Sequence, residues 1–385
     1  MTVSPFLSLP GAVAAPAPDD TVAAHYGNPL IEQRMLAAGS TATAPAIVDL
    51  SMRGVISVAG PDRLTWLDSV TSQSIRSLAP GASAETLLLS ANGRIEHAIR
   101  VFDDGETAWL LVEAAEAEPL EAWLQRMRFM LRVEIADRTA EFATVGWLAS
   151  GPDAITPAPL AALAARPAGL ELSWADPWPE VVAGGVQYAP VEEHPGADWF
   201  WRETLMPRPS IAPLADAVAA GDLSVAGLLA FEALRIAAWR PRLGTEVDER
   251  TIPHELDWMR SAVHLSKGCY RGQETVAKVH NLGHPPRRLV FLHLDGSDAV
   301  LPTAGDEVRT GDDAVGQVTS VANHHEWGPI ALAVVKRQLD PEAVVVVRTG
   351  DGDEVAATVE TIVSPEAGAA VGRVPRLPRL GARSR

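Results

Sequence analysis

The first 150 residues contain short apolar runs that have the length of β-strands. These runs are bounded by polar or turn-forming residues, a pattern that indicates strands. Between the third and fourth runs, the sequence Asn-Gly-Arg predicts the turn of a hairpin. The predicted strands lie at residues 47–51, 55–58, 87–89, 108–112 and 142–147.

Helical spacing separates several of these strands. A helix is predicted to begin after Gly60, where the following Pro and Asp suit a first turn. The clearest helix covers residues 116–131, because apolar side chains recur there at three- and four-residue steps. Another is predicted over residues 224–238, with Ser224 as its N-cap. Strands and helices that alternate in this way indicate an α+β or α/β fold.

The C-terminal part of the chain has a different pattern. Short β-branched runs bounded by Gly and Asp predict an all-β module, a small barrel, over residues 286–366. Residues 46–285 form the main α+β region, with an Ala- and Pro-rich connector at residues 151–170. We expect residues 1–45 to be a loosely packed lead-in and residues 367–385 to be a flexible basic tail.

The composition excludes several classes of function. The chain has 385 residues, 47% of them hydrophobic and 21% charged, as in soluble globular proteins. The formal net charge of -17 opposes broad binding to nucleic acid, where Lys and Arg must neutralise phosphates. No apolar run approaches the roughly 18 residues that a membrane span needs. No Lys or Arg precedes Arg34, although a secretory signal begins with basic residues. We therefore expect a cytoplasmic protein without nucleic-acid or membrane partners.

The chain contains one cysteine, Cys269, in the run Ser-Lys-Gly-Cys-Tyr-Arg-Gly-Gln-Glu-Thr. An intrachain disulfide is therefore impossible, as is a metal site built from cysteines of this chain alone. Gly268 and Gly272 bracket the thiol and permit a close backbone approach. Lys267 and Arg271 bring positive charge, which favours the reactive thiolate. The local alternative is a buried, inert cysteine in a tight turn, since unpaired cysteines are often buried.

Two pairs of histidines give only weak evidence for a metal site. His280 and His284 lie in a predicted loop rich in Gly and Pro, and His324 and His325 lie in a predicted loop between strands. Neither pair is placed on one helix face, so we predict no metal site. The chain also lacks the glycine-rich runs that bind dinucleotides or nucleoside triphosphates.

The cysteine run resembles the signature of the YgfZ family, Lys-Gly-Cys-Tyr-x-Gly-Gln-Glu, and it matches all seven specified positions. The surroundings are similar to the T-protein-like folate-binding domains of the same fold group, over roughly residues 20–365. The segments that carry this similarity are residues 48–64, 89–94, 234–238, 251–255, 316–320 and 330–333.

This resemblance implies both a fold and a function. The fold is α+β, with two T-protein-like lobes and a C-terminal β-barrel arranged as a ring around a central folate pocket. The function is that of a tetrahydrofolate-binding accessory protein in iron–sulfur cluster assembly or repair. Its partners would be client iron–sulfur enzymes, some of which thiolate tRNA, so an effect on tRNA modification would be indirect. We expect a monomer, because a ring closes on itself.

The resemblance also implies roles for individual residues. Cys269 would act as a nucleophile or as a transient sulfur or iron ligand. Lys267 would lower its pKa, and Tyr270 would pack at the pocket wall. The residues expected around the folate are Gly268, Arg271, Gly272, Gln273, Glu274, Glu255, Trp258 and Arg235.

The chain departs from the T-protein pattern at two places. T-proteins carry an Asp-Asp pair where this chain has Glu96 and His97, and a pterin-associated Glu where it has Ala237. Alanine offers no hydrogen-bond acceptor, so a pterin would be held differently, for example by Glu255, or bound weakly. Two alternatives stay open: a folate-dependent aminomethyltransferase or demethylase with Glu96 as base, and a scaffold whose thiol is structural.

Overall fold

A computed structural model describes residues 3–371 of the chain. Its strands are β1 (Val13–Ala14), β2 (Ala23–His25), β3 (Ala46–Asp49), β4 (Gly54–Ala59), β5 (Ser83–Leu89), β6 (Ile95–Asp103), β7 (Thr107–Val112), β8 (Glu134–Asp137), β9 (Phe142–Leu148), β10 (Ser173–Ala175), β11 (Trp201–Pro207), β12 (Ser224–Ala226), β13 (Arg287–Leu294), β14 (Glu307–Thr310), β15 (Asp313–His324), β16 (Gly328–Lys336), β17 (Val344–Arg348) and β18 (Glu354–Thr361). Its α-helices are α1 (Pro29–Ala37), α2 (Arg63–Val70), α3 (Ala117–Met127), α4 (Ala158–Leu163), α5 (Ile211–Ala220), α6 (Leu228–Ala237), α7 (Leu243–Glu246) and α8 (Gln273–Leu282).

The first lobe is a five-stranded sheet in the order β5-β6-β7-β4-β8. Helices α2 and α3 cover one face, where Leu120 and Leu124 are buried among strand residues. The helical spacing of residues 116–131 therefore predicted α3 correctly, although the helix ends at Met127. The predicted turn at residues 92–94 joins β5 to β6, a strand that the apolar pattern did not reveal.

The second lobe is a five-stranded sheet in the order β10-β11-β9-β3-β12. The helix predicted over residues 224–238 was wrong in its first turn. Ser224 lies in β12, which pairs in parallel with β3, and its N–H donates to the carbonyl of Pro45. Helix α6 begins only after Gly227, where a Cβ would lie 2.2 Å from the carbonyl oxygen of Ala24.

The first 45 residues are packed against the rest of the protein, which corrects the expectation of a loose lead-in. Phe6 is fully buried in the core of the second lobe. On α1, the side-chain amide of Gln33 donates to the carbonyl of Asn323 and accepts from the backbone N–H of His325. These contacts join α1 to barrel residues about 290 positions away in sequence.

The C-terminal part is a closed six-stranded barrel in the order β13-β16-β15-β14-β17-β18, which confirms the predicted barrel. Four of its strands correspond to the apolar runs of the sequence, whereas β14 and β15 contain many exposed positions. Most of the predicted basic tail, residues 372–385, lies outside the described residues. Within residues 3–371, no helix is long and apolar enough to cross a membrane.

The largest core cluster lies where the three parts meet. It contains Trp109 of the first lobe, Trp174 of the second lobe, Leu234 of α6 and Phe291 of the barrel. The fold class is therefore as predicted, with two α+β lobes and a barrel that share a central core.

Candidate functional site

The loop that carries Cys269 precedes α8, and the thiol-bearing residue is exposed. Gly272 ends this loop with φ 85° in the left-handed region, and a Cβ there would lie 2.6 Å from the carbonyl oxygen of Ser90. A Cβ on Gly268 would meet no atom within 4 Å. Only one of the two bracketing glycines is therefore required by the backbone, where the loop packs on the turn between β5 and β6.

Lys267 anchors the loop to the end of α2. Its ammonium donates to the carbonyls of Thr71 at 2.9 Å and Gln73 at 2.6 Å, and the Asp68 carboxylate lies 3.4 Å away. Burial lowers the pKa of Lys267, and the charge of Asp68 opposes that shift. A cation at a helix C-terminus is also favoured by the helix dipole. The structure therefore gives Lys267 a role in holding the loop, and its effect on the thiol stays a prediction.

Arg271 joins the loop to β6. Its guanidinium lies 2.6 Å from the carboxylate of Glu96, and both side chains are about one-third exposed. The neighbouring His97 points to the other face of the strand, where its ring lies 2.5 Å from the Glu116 carboxylate. Glu96, the residue considered as a base for aminomethyl transfer, is thus held by an arginine beside Cys269.

The remaining residues of the signature divide into inward and outward sets. Tyr270 is buried in the central core, with the ammonium of Lys267 5.4 Å from its ring centre, and burial raises its pKa. The side-chain amide of Gln273 donates to the carbonyl of Lys267 at 3.3 Å. Glu274 is exposed in the first turn of α8. Cys269 is therefore presented outward by a loop whose inner residues are fixed.

Three residues that were predicted to surround the folate have their polar groups in the interior of the protein. Glu255 is fully buried and pairs with Arg287 of the barrel at 2.8 Å. The indole N–H of Trp258 donates to Glu85 at 3.1 Å. Arg235 is buried between acidic side chains and donates to the hydroxyl of Ser320 at 2.8 Å. The structure does not bring these three hydrogen-bonding groups to Cys269.

A network of buried charges occupies the centre, and the sequence analysis missed it. Arg240 pairs with Glu85 at 2.6 Å and with Asp176 at 2.9 Å, so it joins the two lobes. Burial alone would lower the pKa of Arg240, but the two carboxylates reverse this and hold it above its usual value. Ser261 donates to the second oxygen of Glu85. Because these residues are far apart in sequence and belong to no motif, no local signal points to them.

The centre leaves little space for a ligand. The cavity beside Arg240, lined also by Trp199, Trp201 and Glu203, measures about 10 Å³. That is about the size of one water molecule, whereas pockets for small organic ligands measure roughly 300–1,000 Å³. The aromatic and charged lining suits a pterin chemically, but the space does not. A folate therefore does not fit into this cavity.

Two of the histidines considered as metal ligands do not lie in the predicted loops: His280 belongs to α8, and His324 is the last residue of β15. Nδ1 of His324 accepts from the backbone N–H groups of residues 326 and 327. His280 lies 2.8 Å from the hydroxyl of Tyr188, and His284 lies 2.9 Å from the carbonyl of Ala367. In the part of the chain that the structure describes, no three His, Cys, Asp or Glu side chains are grouped as a metal site.

The chain matches two family models and several known proteins. The models are the GCVT N-terminal domain, over residues 32–157, and the glycine cleavage T-protein C-terminal barrel domain, over residues 287–364. An aminomethyltransferase of Streptomyces avermitilis is 30% identical over 300 residues, which cover 75% of this chain and 77% of that protein. An iron-sulfur cluster assembly factor IBA57 homolog, mitochondrial, of Cryptococcus neoformans is 25% identical over 266 residues, which cover 65% and 67%.

A solved structure gives the same result for the fold. The glycine cleavage system aminomethyltransferase T from Bartonella henselae superposes with a TM-score of 0.68, at 19% identity, over 91% of this chain and 94% of that one. This likeness concerns the fold alone. Together with the sequence matches, it shows that the chain belongs to the glycine cleavage T-protein-like family.

Proposed function

We propose that the protein is an accessory factor in the assembly or repair of iron–sulfur clusters, and that it acts through Cys269. The observation that carries the proposal is the exposure of the chain's sole thiol on a loop that is fixed from beneath. The match to a relative named as an iron–sulfur cluster assembly factor supports it, as does the signature around the cysteine.

The chemistry asked of Cys269 is that of a single ligand. A thiolate binds iron, and clusters are usually held by several thiolates. The described residues contain no group of three or more potential ligands, so they offer no complete site. We propose that Cys269 supplies one thiolate ligand to iron in transit, and that the client enzyme or a carrier supplies the others.

The contacts of the loop support this role for the thiol. Lys267 and Gly272 hold the backbone against α2 and the turn between β5 and β6. Arg271 ties the loop to β6 through its ion pair with Glu96. A fixed loop reduces the entropy that is lost when a partner binds. The site is therefore suited to meet another protein rather than to enclose a small molecule.

The proposed partners are client iron–sulfur enzymes. Where such a client thiolates tRNA, the modification of tRNA would change indirectly, without contact between this protein and RNA. We propose a monomer that acts in the cytoplasm. Tetrahydrofolate, which the family resemblance implied, is not part of this proposal, because the cavity beside Arg240 measures only about 10 Å³.

Aminomethyl transfer is the competing proposal, because several relatives bear the name aminomethyltransferase. It requires a base near a bound folate. Glu96, the proposed base, is paired with Arg271. Ala237 offers no acceptor at the position where T-proteins have a pterin-associated Glu. No contact of these two residues favours this reaction.

The test is a Cys269→Ser substitution in cells that lack the native protein. Serine keeps the size of the side chain and removes the thiol. We expect the activity of iron–sulfur enzymes that thiolate tRNA, measured as thiolated nucleosides by mass spectrometry, to fall to the level of cells without the protein. Ser266→Ala, an exposed change in the same loop, is the matched control and should keep full activity. Full activity of Cys269→Ser at equal protein amounts would contradict the proposal.

A further inference from the structure

Three aromatic side chains fill the centre of the fold. The indoles of Trp199 and Trp201 are stacked, with ring centres 5.4 Å apart and planes inclined by 13°. Phe231 of α6 lies against them, 4.7 Å from Trp201 and 6.0 Å from Trp199. All three are at least 95% buried. We call these three residues the aromatic plug.

The sheet of the second lobe is adapted to the plug. Gly146 of β9 lies beneath Trp201, where a Cβ would come within 2.1 Å of the indole carbon Cζ2. Any side chain other than hydrogen would displace the indole from this position. The glycine therefore leaves the space that the plug fills, which shows that the two residues fit together as a pair.

Hydrogen bonds hold both indoles. The indole N–H of Trp199 donates to Asp176 at 3.0 Å, and that of Trp201 donates to Glu203 at 3.2 Å. Glu203 also accepts from Arg53, so its charge is balanced. Moving either indole would remove one hydrogen bond from a buried carboxylate, which would keep its arginine partner. The plug is thus fastened in place.

The remaining cavity suits water. It measures about 10 Å³, room for one molecule. Oε2 of Glu203 and Nη1 of Arg240 are buried without a hydrogen-bond partner among the described residues, and both residues line this cavity. A water between them would satisfy a donor and an acceptor. A bicyclic ring would not fit unless an indole left.

We infer that the aromatic plug closes the space beside Arg240 between the two lobes to a folate, so that this protein acts without a folate bound there. The same residues imply what would bind if the plug were shortened. Loss of the Trp201 indole would leave the face of Trp199 beside a carboxylate and several arginines. Stacking surface, carboxylate and cation together suit a planar, amino-bearing heterocycle with an anionic tail. This inference goes beyond the proposed role of Cys269 and does not depend on it.

The first test is a calorimetric titration of the full-length protein with 5-formyltetrahydrofolate, a folate that resists oxidation. We expect no saturable heat at ligand concentrations up to about 1 mM, where even a Kd of about 1 mM would be detected. Saturable binding of one folate per chain would overturn the inference. Loss of iron–sulfur function in Cys269→Ser would not alter this result, so the two proposals can fail separately.

The second test opens a space for the ligand by removing the indole of Trp201. In Trp201→Ala, 5-formyltetrahydrofolate should raise the melting temperature measurably, whereas it should leave the wild-type value unchanged. Trp327→Ala, at a half-exposed tryptophan of the barrel, is the control and should show no ligand effect. A folded Trp201→Ala protein without a ligand-induced shift would refute the assignment of the indole as the block. If that variant does not fold, the wild-type titration decides alone.

Discussion

The centre of the molecule and the Cys269 loop are both held by several contacts, but they differ in what they offer to other molecules. At the centre, Arg240 is paired with Glu85 and Asp176, and the aromatic plug beside it leaves a cavity of about 10 Å³. At the loop, Lys267 and Gly272 hold the backbone in place, and Cys269 is exposed. The cavity at the centre therefore has no space for a small organic molecule, whereas the loop presents a thiol that another molecule can reach.

This difference shows that a protein can keep the fold of its family while the groups available for chemistry change. The two lobes and the barrel are retained, but the space between them is filled by side chains of the chain itself. A fold can host different functions because function depends on the groups of a site. In this protein the groups left available lie on the surface. The predictions below test each region against the other, from the largest expected effect to the smallest.

Removal of Arg240 should have the largest effect on stability. Arg240→Leu would leave Glu85 and Asp176 as buried carboxylates without their cation, which costs about 3–5 kcal/mol. Urea unfolding of wild type and variant measures the difference. Arg250→Leu, at an exposed pair with Glu249, is the control and should cost about 0–1 kcal/mol. Equal effects of the two changes would show that the central network does not stabilise the fold.

Gly146→Ala should be the next most damaging change. Its methyl group would overlap the indole of Trp201, and overpacking of a core costs about 1–3 kcal/mol. Trp201→Leu in the same chain should remove part of this cost, because the smaller side chain leaves room. A double-mutant cycle by urea unfolding measures the coupling. Strict additivity would mean that the glycine and the indole do not constrain each other.

The two glycines of the loop should respond differently. Gly272→Ala forces a side chain into a left-handed conformation against Ser90, and we expect a loss of about 1–2 kcal/mol. Gly268→Ala meets no atom within 4 Å and should change the free energy of unfolding by less than about 0.5 kcal/mol. Thermal or urea unfolding of the two variants decides, and an equal response would argue against the fixed loop.

The interior should also make stability depend on pH, through the buried carboxyl group of Asp257. Burial raises the pKa of Asp257 to about 7, while the N–H of Tyr188 donates to its carboxylate. The folded protein therefore keeps this proton between about pH 4 and 7 when the unfolded chain has lost it, so stability falls as pH rises through that window. His194, 4.0 Å away, acts in the opposite direction, because burial lowers its pKa to about 3.

Asp257→Asn isolates this contribution. The amide imitates the protonated acid and does not titrate. Relative to wild type, its unfolding free energy should therefore gain about 1.4 kcal/mol per pH unit between about pH 4 and 7. Urea unfolding at several pH values measures the slope. Parallel pH profiles of variant and wild type would show that Asp257 does not carry the dependence.

The smallest effect on stability is expected at the thiol itself. Cys269 is exposed, so Cys269→Ser should change the free energy of unfolding by less than about 0.5 kcal/mol. Melting curves of the two proteins check this. A loss comparable to that of Gly146→Ala would mean that the cysteine is structural, as the scaffold alternative holds.

The sequence alone predicted the elements whose burial follows a simple period. Helix α3 and four barrel strands show the expected spacing of apolar residues, and the cysteine motif predicted the family. The first 45 residues were misjudged because their partners are distant: Gln33 of α1 binds barrel residues about 290 positions later. Ser224 was assigned to a helix because its pairing with β3 is equally non-local.

The site was predictable only in part for the same reason. The motif identified Cys269 as the residue of interest. The positive charge of Lys267, two positions earlier, suggested that its ammonium interacts with the thiol. In the structure, that ammonium instead donates hydrogen bonds to the carbonyls of residues 71 and 73, almost 200 positions earlier in the sequence. The tryptophan count of eleven was a visible signal of an aromatic core. Which tryptophans fill the centre depends on how the two lobes meet, and no local pattern contains that information.

The most direct test compares the two regions in one assay. Cys269→Ser and Trp201→Phe, which retains an aromatic ring at the centre, are produced at equal amounts in cells that lack the native protein. The activity of tRNA-thiolating iron–sulfur enzymes is then measured in each. We predict that Cys269→Ser loses this activity and Trp201→Phe keeps it. Loss in Trp201→Phe together with full activity in Cys269→Ser would place the function at the centre and contradict the account.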